Sequence, residues 1–311
     1  MNGKKILIIG GAGFIGSNLA RELCRDNKVT IIDNFSNSKE ENIKNLNIEI
    51  KKLDITRDDL NEVVKNKDVI YHLASYPGHL ESVENIFDDL NVNVKGTLNL
   101  LEACKKNNRK VKIIYTGTRA QYGEIEYTPV DEKHPLNPVD AQGITKHAAE
   151  QYLRLYNKFY NIRFVSLRLT NVYGVSVSKK DSGVLPMFIK KAMEDGILNV
   201  YGGGRNLRDF NYVDDVVKAL ILVGESDEAN NEVYNLGGDV MSILDIAKKI
   251  IRIVGKGQLR ICPYTEGIDK IEVGDYIADI RKIRKLRWKA EVGFEEGLRK
   301  IIEYYKNDRN Y

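Results

Sequence analysis

The feature that most constrains this chain is the alternation of short apolar segments with amphipathic ones through its first half. The segments KKILIIG, KVTIID, IEIKKLD, DVIYHLAS and VKIIYTG are rich in Ile and Val and predict strands. Between them, NLARELCRD, DDLNEVVKN and VNVKGTLNLLEACKKNN predict helices, and GITKHAAEQYLRLYNKFY followed by RFVSLRL continues the pattern. Apolar strands separated by helices form parallel sheets that are covered on both faces. The sequence therefore predicts an α/β fold with a doubly wound parallel sheet.

The second half of the chain predicts a smaller lobe of mixed α/β structure. From Thr170 onward the alternation loosens, and glycine-rich stretches such as YGGGRN appear. FNYVDDVVKALILVG and EVYNLGG predict a helix and a strand that return to the sheet. We therefore assign residues 1–169 and about 209–237 to the sheet domain, and about 170–208 and 238–311 to the smaller lobe. The functional site is expected in the cleft between them.

Composition excludes several classes of protein. Among 311 residues, 48 basic and 44 acidic side chains leave a net charge of +4 with no concentrated basic face, which argues against nucleic acid as a partner. No apolar run is long enough for a membrane span, and the first strand begins without a signal peptide, so we expect a cytoplasmic protein. The cysteines and histidines have no metal-type spacing, and no metal site is expected; they are Cys24, Cys104, Cys262, His72, His79, His134 and His147.

A glycine-rich turn, GGAGFIG, lies between the first predicted strand and the first predicted helix. It places Gly10, Gly13 and Gly16 three residues apart, as a tight turn beside a bound pyrophosphate requires. The N–H groups at the start of the helix can bind the phosphates. Asp33 ends the next strand, where a carboxylate accepts hydrogen bonds from the ribose hydroxyls and repels a 2′-phosphate. The motif therefore predicts a Rossmann sheet that binds NAD rather than NADP.

With these motifs the chain resembles the extended short-chain dehydrogenase/reductase family, in particular its nucleotide-sugar epimerases and dehydratases of the UDP-glucose 4-epimerase-like group. The resemblance covers nearly the whole length and includes DNFSNS, LDI, HLAS, NVNVKGT, YTGTRAQYG, LRLTNVYG, RDFNYVDD and GDYIADIRKI. It implies NAD as the cofactor, bound by Gly10, Gly13, Phe14, Ile15, Gly16, Asp33, Asn34, Asn37, Ser38, Asp54, Ile55, Leu73, Ala74, Ser75, Asn93, Thr116 and Lys146. It also implies a homodimer whose interface pairs the helices VNVKGTLNLLEACKK and AAEQYLRLYNKFY.

The catalytic positions implied by the resemblance include one departure. The family oxidises a sugar hydroxyl while a tyrosine takes the proton, and a lysine one helical turn away lowers the pKa of that tyrosine. Thr118 and Lys146 match the threonine and the lysine, but Gln142 stands at the tyrosine position. An amide can orient a hydroxyl and cannot remove its proton. Thr118, Gln142 and Lys146 are the candidate catalytic residues.

Three interpretations of Gln142 are open. The glutamine is a deliberate substitution that traps a substrate complex, or it is native and another group moves the proton, or the protein binds its ligands without turnover. We favour the native variant because the flanking residues otherwise suit the site. In that case the proton is moved by Lys146, by a water or by a side chain of the loop SYPGHLES, which offers Tyr76, His79 and Glu81. Our hypothesis is that Tyr76 or His79 replaces the tyrosine, and both are also candidate substrate-binding residues. Loop packing for Tyr76 and a solvated ring for His79 are the competing interpretations.

The residues after Thr118 bear on the reaction. By the resemblance, sugar dehydratases have an Asp/Glu pair there, whereas this chain has Arg119 and Ala120, so elimination of water is disfavoured. Asn171 and Arg208 resemble the residues that bind the diphosphate of the substrate, with Thr118 as a further substrate contact. Glu272 replaces a second family arginine. The pair Lys179 and Lys180 could supply the missing positive charge, although such a pair is more often part of a solvated loop.

The sequence thus predicts an NAD-dependent nucleotide-sugar epimerase that acts through a 4-keto intermediate on a UDP-glucose or UDP-GlcNAc type of substrate. A dehydrogenase or ketoreductase that releases the keto sugar is one alternative. A protein that binds NAD and a sugar nucleotide without turnover, because Gln142 replaces the tyrosine, is another. The identities of the sugar and of the nucleobase stay open.

Overall fold

The computed structural model describes residues 1–175, 183–264 and 272–307. Within these ranges the strands are β1 (Lys5–Ile9), β2 (Lys28–Asp33), β3 (Glu49–Lys52), β4 (Val69–His72), β5 (Lys112–Thr118), β6 (Arg163–Leu169), β7 (Asn171–Tyr173), β8 (Ile197–Tyr201), β9 (Leu207–Tyr212), β10 (Glu232–Asn235), β11 (Asp239–Ser242) and β12 (Gln258–Cys262). The α-helices are α1 (Phe14–Leu23), α2 (His79–Glu84), α3 (Ile86–Leu90), α4 (Gly96–Asn107), α5 (Ala141–Tyr160), α6 (Val184–Met193), α7 (Val213–Glu225), α8 (Ile243–Val254), α9 (Arg281–Arg284) and α10 (Phe294–Asn307).

Seven of these described strands form one sheet in the order β10-β6-β5-β4-β1-β2-β3. Every neighbouring pair in this sheet is parallel. The strand order reverses between β1 and β4, since β2 lies on one side of β1 and β4 on the other. In sheets of this kind ligands bind in the crevice at the carboxyl ends of the strands, at the reversal point.

The core lies on both faces of this sheet. Side chains of β1 alternate between the faces: Ile6 and Ile8 pack with residues of α1 and α7, while Leu7 and Ile9 pack with residues of α4 and α5. All four are fully buried. Burial on both faces explains why the strands are apolar throughout, and it confirms the predicted doubly wound α/β fold.

The second half of the chain adds smaller sheets. β7, β9 and β11 form a three-stranded sheet, and β8 pairs with β12. These strands pack with α6, α8 and α10 around a separate apolar cluster. The segments expected to return to the large sheet do so, because β10 pairs with β6 and α7 packs into the core on one face. Phe210, Asn211 and Tyr212, which were expected to begin that helix, lie instead in β9.

One predicted helix is wrong. The segment DDLNEVVKN, residues 58–66, forms turns rather than a helix. Leu60 and Val64 are buried against the sheet, so the apolar pattern is satisfied without helical backbone. The side-chain amide of Asn108 donates hydrogen bonds to the carbonyls of Val64 and Lys67, at 2.9 and 2.8 Å, and these tertiary bonds replace helical ones. A contact with a residue about forty positions away is not visible in local periodicity.

Lys179 and Lys180 lie outside the described residues. The described helices include none that is long and apolar enough to cross a membrane. Cys24, Cys104 and Cys262 are free thiols.

Candidate functional site

The glycine-rich turn lies at the carboxyl end of β1. Gly10 has a φ of +76°, and its N–H donates to the carbonyl of Ile32 at 2.9 Å. A Cβ at this position would lie 2.7 Å from the backbone nitrogen of Ala74, which follows β4. A Cβ on Gly16 would fall against the carbonyl of Gly10. Because neither position has room for a side chain, the turn packs closely against α1 and the end of β4. The shallow space over the turn, which we call the glycine cradle, has no side chain of Gly10 or Gly16 in it.

Asp33 ends β2 beside this turn. One carboxylate oxygen accepts a hydrogen bond from the backbone N–H of Ala12 at 3.0 Å, and the other accepts from Ser38 and from the backbone N–H of Phe35, both at 2.9 Å. The residue is buried except for a small fraction of its surface. Hydrogen bonds from the glycine turn and from the next loop therefore fix the carboxylate at the edge of the groove.

A groove of about 370 Å³ runs from the glycine turn across the ends of β2 and β4. Its lining includes eleven of the predicted cofactor residues: Gly10, Gly13, Asp33, Asn34, Asn37, Ser38, Asp54, Ile55, Leu73, Ala74 and Ser75. It also includes Tyr76 and residues that sequence reasoning missed: Ile32, Ser36, Leu53, Thr56, Asp88, Asn91 and Val92. The first four adjoin the recognised motifs, and the last three lie within about one helical turn before Asn93, so position in the chain was the available signal.

The other predicted cofactor residues lie around the groove rather than in its lining. Phe14, Ile15 and Gly16 belong to the first turn of α1, and Phe14 lines a second cavity. Asn93 is buried in a π-helical turn, Asn91–Lys95, that joins α3 to α4. Its side-chain oxygen accepts from the N–H of Tyr76 at 3.1 Å, so it positions the loop that follows β4. π-Helical turns are frequent at functional sites.

The three candidate catalytic residues lie on two elements. Gln142 and Lys146 are one turn apart on α5, and therefore on the same face of the helix. Thr118 is the last residue of β5, and its hydroxyl accepts from the N–H of Ala120. A Cβ on Gly143 would lie 2.5 Å from the carbonyl of Ala120, so this glycine lets α5 begin directly against the turn after Thr118.

Lys146 is buried, and its ammonium group donates to the carbonyl of Thr116 at 2.9 Å. Burial lowers the pKa of Lys146 to about 8, although the nearby Asp89 acts in the opposite direction. Asp89 is itself buried and bonded to Asn93 and Thr145. Burial raises the pKa of Asp89. The lysine can therefore exchange a proton near neutral pH, which an exposed lysine cannot do.

His79 and Asp140 form a pair that sequence reasoning found only in part, since Asp140 was not among the predicted residues. His79 Nδ1 lies 2.7 Å from a carboxylate oxygen of Asp140, whose other oxygen caps α5 by accepting from the N–H of Gly143 at 2.6 Å. Burial would raise the pKa of Asp140, but interactions with His79, Gly143 and Arg119 outweigh it and lower the pKa. The ionised carboxylate therefore holds the proton on Nδ1 and leaves the lone pair on Nε2.

Gln142 fixes the same loop. Its amide donates to the backbone carbonyl of Tyr76 at 3.2 Å. A second cavity of about 420 Å³ is lined by Phe14, Gly78, His79, Gln142, Asn171, Tyr173 and further apolar side chains. Tyr76 lines the cofactor groove and His79 the second cavity, so the short loop between them separates the two spaces.

The predicted phosphate-binding residues lie on the small sheet. Asn171 begins β7 and donates to the carbonyl of Asp209 at 2.9 Å, and Arg208 lies beside it on β9. The guanidinium of Arg208 forms an ion pair with Glu272 and donates to the carbonyl of Gly274. It forms no ion pair with its neighbour Asp209, whose carboxylate accepts from the backbone N–H groups of Gly238 and Ala278.

The described residues fit a dinucleotide. Because Gly10 and Gly16 have no side chain, a pyrophosphate can come close to the backbone of the turn. The N–H groups at the start of α1 point at the same position. Asp33 presents a fixed carboxylate at the ribose position. The loop that follows β4 separates the groove from a cavity of suitable size for a sugar.

This combination defines a dinucleotide-binding enzyme of the Rossmann type. The sequence pattern of the NAD dependent epimerase/dehydratase family matches residues 6–237. The chain belongs to this family, as the resemblance implied, and its cofactor is NAD.

Related proteins align with this chain over nearly its full length. A Methanocaldococcus jannaschii protein assigned as UDP-glucose 4-epimerase is 36% identical over 97% of this chain and 99% of its own. The UDP-N-acetylglucosamine 4-epimerase of Methanobrevibacter ruminantium, solved with UDP-N-acetylmuramic acid, has a TM-score of 0.91 at 33% identity and covers 98% and 99% of the two chains. The UDP-glucuronic acid 4-epimerase of Bacillus cereus, solved with UDP-glucuronic acid and NAD, has a TM-score of 0.88 at 31% identity and covers 97% and 99%.

Proposed function

We propose that this protein interconverts UDP-sugars that differ in configuration at C4, with a 4-keto sugar as the intermediate. The observation that supports this most directly is the arrangement of two spaces around one loop. Tyr76 lines the cofactor groove, and His79, three residues later in the same loop, lines the other cavity together with Gln142. A sugar bound in that cavity lies next to the nicotinamide end of the groove. The activities of the relatives favour epimerisation over a dehydrogenase or a binding protein.

Bound NAD supplies a reversible acceptor for the hydride at C4 of the sugar. The protein must also remove the proton of the C4 hydroxyl, and it must return that proton after the keto sugar has rotated to present its other face. Arg119 and Ala120 follow Thr118, so no carboxylate is available at those positions for elimination of water. The keto sugar therefore has no route to dehydration at those positions, and the C4 epimer would form if the hydride returned to the opposite face of the ketone.

His79 is our choice for the group that moves the proton. Asp140 orients its ring and leaves Nε2 as the acceptor, which is the arrangement of a general base. Nε2 forms no hydrogen bond with any residue in the described ranges, and the ring is partly exposed to the cavity. The hydroxyl of Tyr76, the competing candidate, belongs to a residue that lines the cofactor groove instead.

Gln142 and Lys146 then have supporting roles. The amide of Gln142 holds the carbonyl of Tyr76 and so fixes the loop on which His79 lies. Lys146 donates to the carbonyl of Thr116 and adds a positive charge beneath the nicotinamide position, which favours removal of a proton nearby. We assign Thr118 to orienting the sugar hydroxyl.

Asn171 and Arg208 are proposed to bind the diphosphate. Arg208 already pairs with the carboxylate of Glu272, so a phosphate would exchange one anionic partner for another at the same guanidinium. Arg208 also lines a third cavity, of about 170 Å³, with Tyr201 and Tyr264, and this cavity is a suitable place for the nucleobase.

We also propose a two-lobed division of the chain, with the boundaries given under Sequence analysis, and a homodimer formed by α4 and α5. The dimer is supported by apolar side chains that are exposed on and next to these helices: Ile86, Phe87, Leu90, Ile144, Leu155 and Phe159. Phe87 is 81% exposed, which is unusual for a phenylalanine in a monomer. The free thiols are consistent with a reducing cytoplasm.

The test is to incubate NAD-loaded protein with UDP-glucose, UDP-N-acetylglucosamine and UDP-glucuronate. Products are identified by proton NMR of the anomeric region, and reduced cofactor is followed by its absorbance. Formation of the C4 epimer without accumulation of reduced cofactor is expected. Accumulation of reduced cofactor with a keto sugar would instead identify a dehydrogenase, and saturable binding with neither product a binding protein.

A further inference from the structure

Arg119, which follows Thr118, is a cation without an ion-pair partner among the residues that the structure describes. It begins a short turn, Arg119–Gln121, directly after Thr118, and its side chain is only partly exposed. The guanidinium donates no hydrogen bond and forms no ion pair with any described residue. Its recorded neighbour is the ring of Tyr276, whose centroid lies 5.7 Å away. A guanidinium has five N–H donors, and leaving them unused in a half-buried place is costly unless a ligand uses them.

The surroundings favour an anionic ligand. Arg119 lines a cavity of about 170 Å³ together with His79, Asp140, Arg208 and Glu272. Both carboxylates of this lining already have partners: Asp140 accepts from His79, and Glu272 pairs with Arg208. Burial, and after it the charge of Arg208, lower the pKa of Arg119, and together they outweigh the opposing effects of Tyr276, Glu272 and Asp140. Among the described lining residues, an entering anion would meet a guanidinium with unused donors, while both carboxylates already have partners.

The position of Arg119 indicates which part of the substrate is anionic. Arg119 is the immediate neighbour of Thr118 in the chain, so their Cα atoms are about 3.8 Å apart. His79 lines both this cavity and the one that contains Gln142, so the two spaces adjoin at the same ring. Of the proposed diphosphate residues, Arg208 lines the cavity of Arg119, and Asn171 lines the cavity of Gln142. Arg119 therefore lies between the proposed diphosphate position and the proposed sugar position, on the side of Thr118 and His79.

We propose that Arg119 binds a carboxylate borne by the sugar, and that the substrate of this enzyme is an acidic nucleotide sugar. This inference rests on the proposed epimerase function and specifies its substrate class. A guanidinium binds a carboxylate in a bidentate manner, with two parallel hydrogen bonds that also fix the orientation of the ring. The carboxylate can be part of a hexuronic acid, at C5, or of an acidic substituent such as a lactyl ether.

The experiment measures binding by calorimetry to NAD-loaded protein, with four ligands: UDP-glucuronate, UDP-N-acetylmuramate, UDP-glucose and UDP. The proteins are the unmodified chain, Arg119→Met, Arg119→Lys and the control Arg25→Met. Arg25 is an exposed arginine that follows α1, and among the described residues it pairs with Glu22. We expect one of the two acidic sugars to bind about tenfold to a hundredfold more tightly than UDP-glucose, as a charge-assisted pair predicts.

Arg119→Met is expected to remove that preference and to weaken UDP less than about threefold, whereas Arg25→Met keeps the preference. Arg119→Lys keeps the positive charge but cannot form the two parallel hydrogen bonds of a guanidinium, so we expect an intermediate preference for the acidic sugar. This variant tests the inference if Arg119→Met does not fold. Equal affinity for acidic and neutral sugars, a preference that survives in Arg119→Met, or an equal loss for UDP would each overturn the inference. The last result would place Arg119 at the diphosphate.

The NMR assay separates this inference from the proposed function. If an acidic sugar nucleotide binds through Arg119 and no C4 epimer forms, the proposed function fails and the inference holds. If UDP-glucose is epimerised as efficiently as either acidic sugar, the function holds and the inference fails.

Discussion

The two ends of the site are built differently. At the cofactor end, groups close in the chain or on adjacent strands hold one another: Asp33 accepts from Ala12 and Ser38, and the glycine turn contacts the loop after β4. At the substrate end, side chains from distant segments meet in pairs, as His79 does with Asp140 and Arg208 with Glu272. The geometry of the cofactor end is determined by the strand order and by the residue types in the turn. The geometry of the substrate end depends on tertiary contacts between these distant segments.

The comparison implies that the two ends tolerate change differently. A substitution at the cofactor end should act through backbone geometry, and its cost should appear in stability and NAD affinity together. A substitution at the substrate end should change turnover and leave the fold and the cofactor largely unaffected.

The largest effect is expected for His79→Asn. The asparagine amide can keep the hydrogen bond to Asp140, but it has no titratable nitrogen to replace Nε2. The rate of a single turnover should fall about a hundredfold to ten-thousandfold, the usual loss when a positioned acid or base is removed. The measurement is reduction of bound NAD by UDP-sugar in a stopped-flow experiment, with NAD and UDP affinities determined separately.

Tyr76→Phe is the control for this prediction, because Tyr76 lies on the same loop and keeps its backbone hydrogen bonds in the variant. It should turn over within about threefold of the unmodified protein, since no proton transfer is assigned to its hydroxyl. If Tyr76→Phe abolishes turnover while His79→Asn does not, the roles are reversed. If neither variant slows turnover, the proton is moved by another group, and Lys146 is the next candidate.

Gly10→Ala tests the cofactor end. The alanine would have to adopt the left-handed φ of Gly10, which is unfavourable for a residue with a side chain. Its Cβ would also lie 2.7 Å from the backbone nitrogen of Ala74. We expect the free energy of unfolding to fall by about 2 to 4 kcal/mol, together with a marked loss of NAD affinity. Gly3→Ala is a matched control, since Gly3 has a φ of +68° with no atom within 4 Å of its Cβ position. If Gly10→Ala lowers the free energy of unfolding no more than Gly3→Ala does, the turn can move away from Ala74 to make room for the methyl group.

The same division explains what the sequence could predict. The sheet, the glycine turn and Asp33 were predictable, because strand periodicity and turn chemistry are local, and the fold and the cofactor are confirmed. The segment at residues 58–66 was not, because Asn108 binds its carbonyls from another element. His79 and Asp140 are 61 residues apart, and Arg208 and Glu272 are 64 apart, so no local pattern indicates that either pair meets.

Lys146→Met should increase stability while it impairs function. In the folded protein burial lowers the pKa of Lys146 from 10.5 to about 8, so the charged form is disfavoured in the native state. Below about pH 8 this cost is fully present, and replacement should raise the free energy of unfolding by about 1 to 3 kcal/mol. Between about pH 8 and 10.5 the unfolded chain still holds the proton that the folded chain has released. Stability of the unmodified protein therefore rises with pH, and the advantage of the variant shrinks.

Lys112 offers a matched control for Lys146. It is also buried, donates to the carbonyl of Ser226 at 2.6 Å and has a pKa that burial lowers to about 8, but it lies at the opposite end of β5. Urea unfolding of Lys112→Met should show the same dependence on pH, with NAD affinity unchanged. An advantage of Lys146→Met that is constant from pH 7 to pH 10 would mean that burial of charge is not its cause.

The smallest effect is expected for Asn34→Ala, at the adenosine end of the groove. Asn34 donates to the carboxylate of Asp54 at 3.3 Å and accepts from the N–H of Ser36 at 3.0 Å. Removing this amide should weaken NAD about threefold to tenfold, the equivalent of about one hydrogen bond, with little change in stability. Asn47→Ala provides the control, since Asn47 is exposed and away from the groove. Fluorescence titration with NADH measures both. A loss above a hundredfold would mean that the cofactor end, too, depends on contacts between distant side chains.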